Sequence, residues 1–158
     1  MSGLDVVQLK HLIVAPTLAA LGLGESAAIN LLTGTALVES GGVYLRQLNG
    51  GPALGLWQME TATHDDCWSN FLNYPMRAGL RRVIEGMLAQ DQPRAAQLVS
   101  NLRYGCAMAR IKFYRAPCSL PPAQDAEQLS LYHKKFYNTC AGAANYIANT
   151  SCFRRAIE

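Results

Sequence analysis

The segment from Ser26 to Glu39 limits the possible folds more than any other part of the chain. Ala28, Ile29, Leu31, Leu32, Ala36, Leu37 and Val38 fall at helical spacing but cover more than one face. A helix that is apolar nearly all round belongs in the middle of a domain, because any face turned to water would expose it. Ser26 is a suitable N-cap, and Gly41 and Gly42 supply the residues on which helices end. The remainder of a 158-residue chain must wrap around this segment. That length fits one domain over residues 1–158 and leaves no room for two. Half of the residues are hydrophobic, enough to bury a sizeable core.

The surrounding pattern is helical as well. Leu80, Val83, Ile84, Met87 and Leu88 share one face, with Arg81, Arg82 and Glu85 on the other. Leu129, Tyr132, His133, Phe136 and Tyr137 form a second stripe, with Lys134 and Lys135 turned outward. Residues 101–115 predict a third helix, in which Gly105, Cys106, Ala107 and Ala109 would let a neighbouring helix come close. Another helix is expected over about residues 4–23. Breaks are expected at Pro16, from Gly41 to Pro52, at Pro75, at Pro93 and from Pro117 to Pro122. The fold class is therefore mainly all-α, with a minor β-hairpin between residues 43 and 57.

Several classes are excluded at this level. No run of about 18 apolar residues exists, so no membrane span is expected. Asp5, Lys10 and His11 interrupt the layout of a secretory leader, which predicts a chain made in a cytoplasm. Five cysteines, Cys67, Cys106, Cys118, Cys140 and Cys152, contain no C-x-x-C pair and read as reduced, buried side chains. His11, His64 and His133 stand at no metal-binding spacing from them, so neither metal nor cofactor is expected. His64, followed by Asp65 and Asp66, reads as a solvated helix start, and His133 as a satisfied core histidine. Residues 1–78 hold three bases against six acids, and residues 79–158 eleven against five. The bases come as isolated pairs without interleaved aromatics, so no nucleic-acid partner is expected, while a basic half suits an anionic envelope.

Glu39 stands where the buried helix meets a glycine-rich loop. Partial desolvation and the negative end of the helix dipole both favour a protonated carboxyl there, the form a general acid needs. A solvated glutamate beside a C-cap glycine fits this pattern alone better, because acids near helix ends are common. The neighbouring residues supply the rest. Glu39-Ser40-Gly41-Gly42 is followed by Pro52-Ala53-Leu54-Gly55-Leu56-Trp57-Gln58-Met59-Glu60-Thr61-Ala62-Thr63, then by Asn101-Leu102-Arg103-Tyr104-Gly105, and finally by Phe136-Tyr137-Asn138. In this order the four blocks resemble the soluble lytic transglycosylases of the lysozyme-like superfamily, whose motifs are Glu-Ser, G-A-x-G-L-x-Q, N-I-x-x-G and A-Y-N-A-G. Pro52 replaces the first glycine of the second block, Glu60-Thr61 stands where a proline is usual, and the Ala141-Gly142 step is displaced by two residues.

The resemblance covers about residues 25–149, the expected core, and leaves residues 1–24 as an N-terminal extension. It implies a lysozyme-like fold and cleavage of peptidoglycan between N-acetylmuramic acid and N-acetylglucosamine, with Glu39 as catalytic acid and base. It implies substrate-binding roles for Ser40, Gly55, Trp57, Gln58, Tyr137 and Asn138. The lack of a leader and the departures above suggest a bacteriophage protein, either an endolysin or a virion (tail) component acting at periplasmic peptidoglycan beside other virion proteins. A hydrolysing muramidase would need a second carboxylate, and none lies between Ser40 and Met59, though Glu60 lies just beyond that loop and Asp65 or Asp66 could fold back. A structural virion protein that kept the fold without activity is a further alternative.

Overall fold

The computed structural model describes residues 3–137 and 145–158, so Asn138 and the displaced Ala141-Gly142 step lie outside the described residues. The architecture is mainly helical with one small two-stranded sheet. Among the described residues no helix is long and apolar enough to cross a membrane.

Helix α1 covers residues 6–21 without interruption and runs through Pro16. The turn before the proline, Leu9–Val14, is π-helical, and the Ala15 N–H bonds to the Lys10 carbonyl, five residues back. The wider turn accommodates the proline ring, which in a regular helix would collide with the carbonyl four residues earlier. The expected break at Pro16 is thus a local widening. Lys10 reaches across the molecule and donates to the carbonyl oxygens of Ala156 and Ile157 at 2.6 and 3.2 Å, closing the last turn of the final helix.

Helix α2, Ser26–Ser40, is the buried axis. Its N-cap is Glu25, one residue earlier than expected, and it ends on Gly41 at φ 66°, whose N–H bonds to the Leu37 carbonyl. The polar residues along its middle are buried: Thr33 and Thr35 return their hydroxyls to carbonyls four residues back. Gly34 has no room for a side chain. A Cβ there would overlap the ring of Phe153, which belongs to the last helix, Tyr146–Ile157.

The expected hairpin exists but is displaced and shorter. Strands β1, Ala53–Leu54, and β2, Met59–Glu60, pair antiparallel in the register Ala53–Glu60 and Leu54–Met59. The turn between them holds Gly55 at φ 77° and Gln58 at φ 46°. A Cβ on Gly55 would overlap the Leu98 carbonyl oxygen, so only glycine permits this approach.

Helix α3, Thr61–Cys67, follows directly and continues as a π-helical turn, Trp68–Leu72. Helix α4, Ala78–Glu85, carries Leu80, Val83 and Ile84 of the expected stripe, whereas Met87 and Leu88 lie past its end; Ile84 is fully buried and Val83 exposed. Helix α5, Leu102–Tyr114, starts from an Asn101 side chain that accepts the Tyr104 N–H. An added Cβ on its small residue Gly105 would lie 3.4 Å from the carbonyl oxygen of Leu98, in the short helix Gln97–Ser100, and 3.5 Å from Cε3 of the Trp57 ring. Helix α6, Ala126–Phe136, bears the second stripe.

His64 is buried, not solvated. Its Nδ1 lies 2.8 Å from an Asp65 carboxylate oxygen, and its Nε2 lies 2.6 Å from the Tyr104 hydroxyl, which accepts the Trp68 indole N–H at 2.9 Å. Burial lowers the proton affinity of this imidazole. Cys67 and Cys106 are buried thiols, whereas Cys118 is exposed and Cys152 half-buried; all four are free. The expectation of uniform burial therefore fails at Cys118, which lies in the proline-rich segment between α5 and α6.

Candidate active site

The C-terminal end of α2, the loop after it and the small sheet enclose a cleft of about 730 Å³, within the size range of small-ligand sites. Glu39, Gln58 and Tyr137 line it together, although they come from three distant segments of the chain. Arg46, Glu60 and Lys112 bring further charge to the same walls.

Glu39 is held from beneath. His133, fully buried on α6, sets its Nε2 2.7 Å from Oε1 of Glu39. The glutamate side chain itself keeps 17% of its surface exposed. No hydrogen bond to the second carboxylate oxygen occurs among the described residues, and Glu39 lines the cleft. Tyr137 stacks on the His133 ring, 5.7 Å between centroids at 24°, and on Phe113 at 5.0 Å. Its hydroxyl donates to the Trp57 carbonyl at 2.6 Å rather than to Glu39. Burial, and next the charge of Glu39, push the Tyr137 phenol well above its ordinary range, so it remains a donor. Lys112 donates to the Tyr137 carbonyl at 2.7 Å and lies 4.3 Å over its ring.

Ser40 faces inward. Its hydroxyl bonds to the Ala36 carbonyl at 3.0 Å and accepts the Gly42 N–H at 3.2 Å, so it shapes the helix end and does not fix the Glu39 carboxylate directly. Gln58 holds a positive φ on the cleft wall, its side-chain N–H donated to the Gly55 carbonyl at 2.8 Å. A non-glycine residue in that region costs of order 1–3 kcal/mol and is concentrated at functional sites.

Two residues expected to bind substrate lie elsewhere. Trp57 is 2% exposed, with its indole N–H donated to the Leu32 carbonyl at 2.9 Å, and packs in the core because the turn after β1 folds inward. Gly55 is buried against Leu98 and serves the close backbone approach. Asp65 and Asp66, the acids proposed to fold back, are bonded to His64 and to Arg115 at 2.8 Å each, and neither lines the cleft. The second carboxylate present is Glu60.

Comparison of the chain with models of known protein families, with curated proteins and with solved structures yields no match.

The sequence pattern offered Glu60 as a possible second acid and His133 as a satisfied core histidine, but singled out neither Lys112 nor Arg46. For His133 a signal existed: it stands one helical turn before Tyr137 on an otherwise apolar stripe, so the two had to face the same neighbour. Lys112 and Arg46 have no local signature, since long-range folding alone brings them to the cleft with Glu39.

Proposed function

We propose that the protein is a peptidoglycan lytic transglycosylase with a lysozyme-like fold and with Glu39 as its one catalytic carboxylate. The observation that carries this reading is the environment of Glu39. It ends a buried helix, one oxygen is engaged by a buried imidazole, and the other faces a cleft that Gln58 and Tyr137 also line. In this mechanism the protonated Oε2 gives its proton to the oxygen bridging muramic acid and glucosamine, and the glycosidic bond breaks. The same carboxylate then takes the proton of the muramic acid C6 hydroxyl as that oxygen bonds to C1, forming the 1,6-anhydro ring. No water is activated, so one carboxylate serves both steps. Gln58 and Asn138 would hold N-acetyl sugars, Asn138 on the resemblance alone. A bacteriophage origin and action as a virion-associated protein at the periplasmic wall rest on the same resemblance.

Glu60 supports a second reading, a hydrolysing muramidase, because it lines the same cleft. Dye release from labelled peptidoglycan by Glu39→Gln and Glu60→Gln separates the two. Under transglycosylation only Glu39→Gln loses release, and Glu60→Gln stays close to wild type. Equal loss in both variants would favour the hydrolase. No release by the folded wild type would leave a structural virion protein.

A further inference from the structure

His133 is the one titratable side chain in direct hydrogen-bonding contact with Glu39 among the described residues, and its other ring nitrogen reveals how it acts. Nδ1 is buried and has no hydrogen-bond partner among those residues. Neutral imidazole carries a single N–H, and the two possible positions are not equivalent here. With the hydrogen on Nδ1, a donor would be buried unpaired and the Nε2 lone pair would face Oε1 of Glu39. With the hydrogen on Nε2, the donor is used at 2.7 Å and only a lone pair is orphaned. The surrounding rings reinforce this: Tyr137 stacks on one side, and Phe153 closes in at 5.8 Å between centroids. None of these neighbours offers Nδ1 an acceptor.

We infer that His133 is a positioning residue that donates its Nε2–H to Oε1 and so confines the acidic proton of Glu39 to Oε2, the oxygen facing the cleft. Without that donor, the proton can settle on Oε1, turned toward the core and away from any bound glycan. The same N–H stabilises the carboxylate left after the proton has moved to the leaving oxygen. The inference rests on the transglycosylase reading for its kinetic consequence but not for the tautomer itself. It predicts a specific pattern: removing the donor lowers kcat while leaving KM in place, because His133 lies behind Glu39 and touches no substrate.

The test has two independent arms. In the first, nitrogen-15 NMR of histidine-labelled wild-type protein reads the tautomer of His133, assigned by its loss in His133→Gln. The Nε2–H form is expected, and the Nδ1–H form would overturn the inference whether or not the protein cleaves glycan. In the second, His133→Leu, His133→Gln and His133→Asn are compared on soluble peptidoglycan strands. Glutamine offers an N–H near the place of Nε2, whereas asparagine offers one near Nδ1. His133→Leu and His133→Asn should lose about 10- to 100-fold in kcat, the scale of one hydrogen bond to a charged group, with KM unchanged. His133→Gln should stay close to wild type. Full activity in His133→Leu, or a loss in folded His133→Gln as deep as in His133→Leu, would overturn it. An inactive wild type would instead refute the transglycosylase reading, and the NMR arm would still decide the tautomer.

Discussion

Two buried histidines, each bonded to a carboxylate, divide structural from functional chemistry in this molecule. His64 closes a chain of bonds in which each group has a partner. The Trp68 indole donates to Tyr104, the Tyr104 hydroxyl donates to Nε2 of His64, and Nδ1–H donates to Asp65, which is 66% exposed in its side chain. The proton positions follow from the donors alone, since indole only donates and an ionised aspartate only accepts. His133 shares the burial but not the closure. One nitrogen has no partner among the described residues, and the carboxylate at the other lines a cleft. A satisfied network supports the fold, whereas an incomplete one directed at a cavity is where chemistry can be done.

The contrast can be broken most forcefully at Glu39. Glu39→Gln should reduce glycan release by at least about 10²- to 10⁴-fold, the usual contribution of a general acid–base, while the thermal midpoint stays near wild type. A large fall in the midpoint would mean that Glu39 is mainly a structural partner for His133.

Tyr104→Phe should do the opposite. It strands the Trp68 N–H and His64 Nε2, two buried groups worth about 1–3 kcal/mol each, so urea unfolding should show a loss of about 2–6 kcal/mol with kcat unchanged. Loss of activity without loss of stability would erase the distinction between the two sites.

The smallest effect is the pH dependence of stability. Burial lowers the proton affinity of His64 in the folded chain, while the unfolded chain titrates near the ordinary value of 6.5. Protonation therefore favours unfolding. The contribution of His64 is whole above about pH 6.5 and declines as the pH falls below it. Urea midpoints between about pH 5 and 8 should show that slope, and it should be shallower in His64→Gln.

The helices were legible because their signals are local. The all-round apolar pattern of Ser26–Ser40, the glycines after it, and the stripes on α4 and α6 each repeat within a few turns. The hairpin was misplaced because two-residue strands are too short to leave an alternating pattern. Pro16 misled because a π-helical turn absorbs it, an accommodation that no composition rule records. At the site, Glu39 was legible as a charge in an unusual position. Trp57 was not separable from its neighbours Gln58 and Met59, because one positive φ decides which of them turns toward the cleft. The link from His133 to Glu39 spans 94 residues and exists only after α2 and α6 have packed.

Mass spectrometry of the fragments released from purified peptidoglycan, by wild type and Glu39→Gln in parallel, tests the central claim most directly. Muramic acid ends in the 1,6-anhydro form that disappear in Glu39→Gln are the predicted result. Reducing ends, or anhydro ends that persist in the variant, would contradict it.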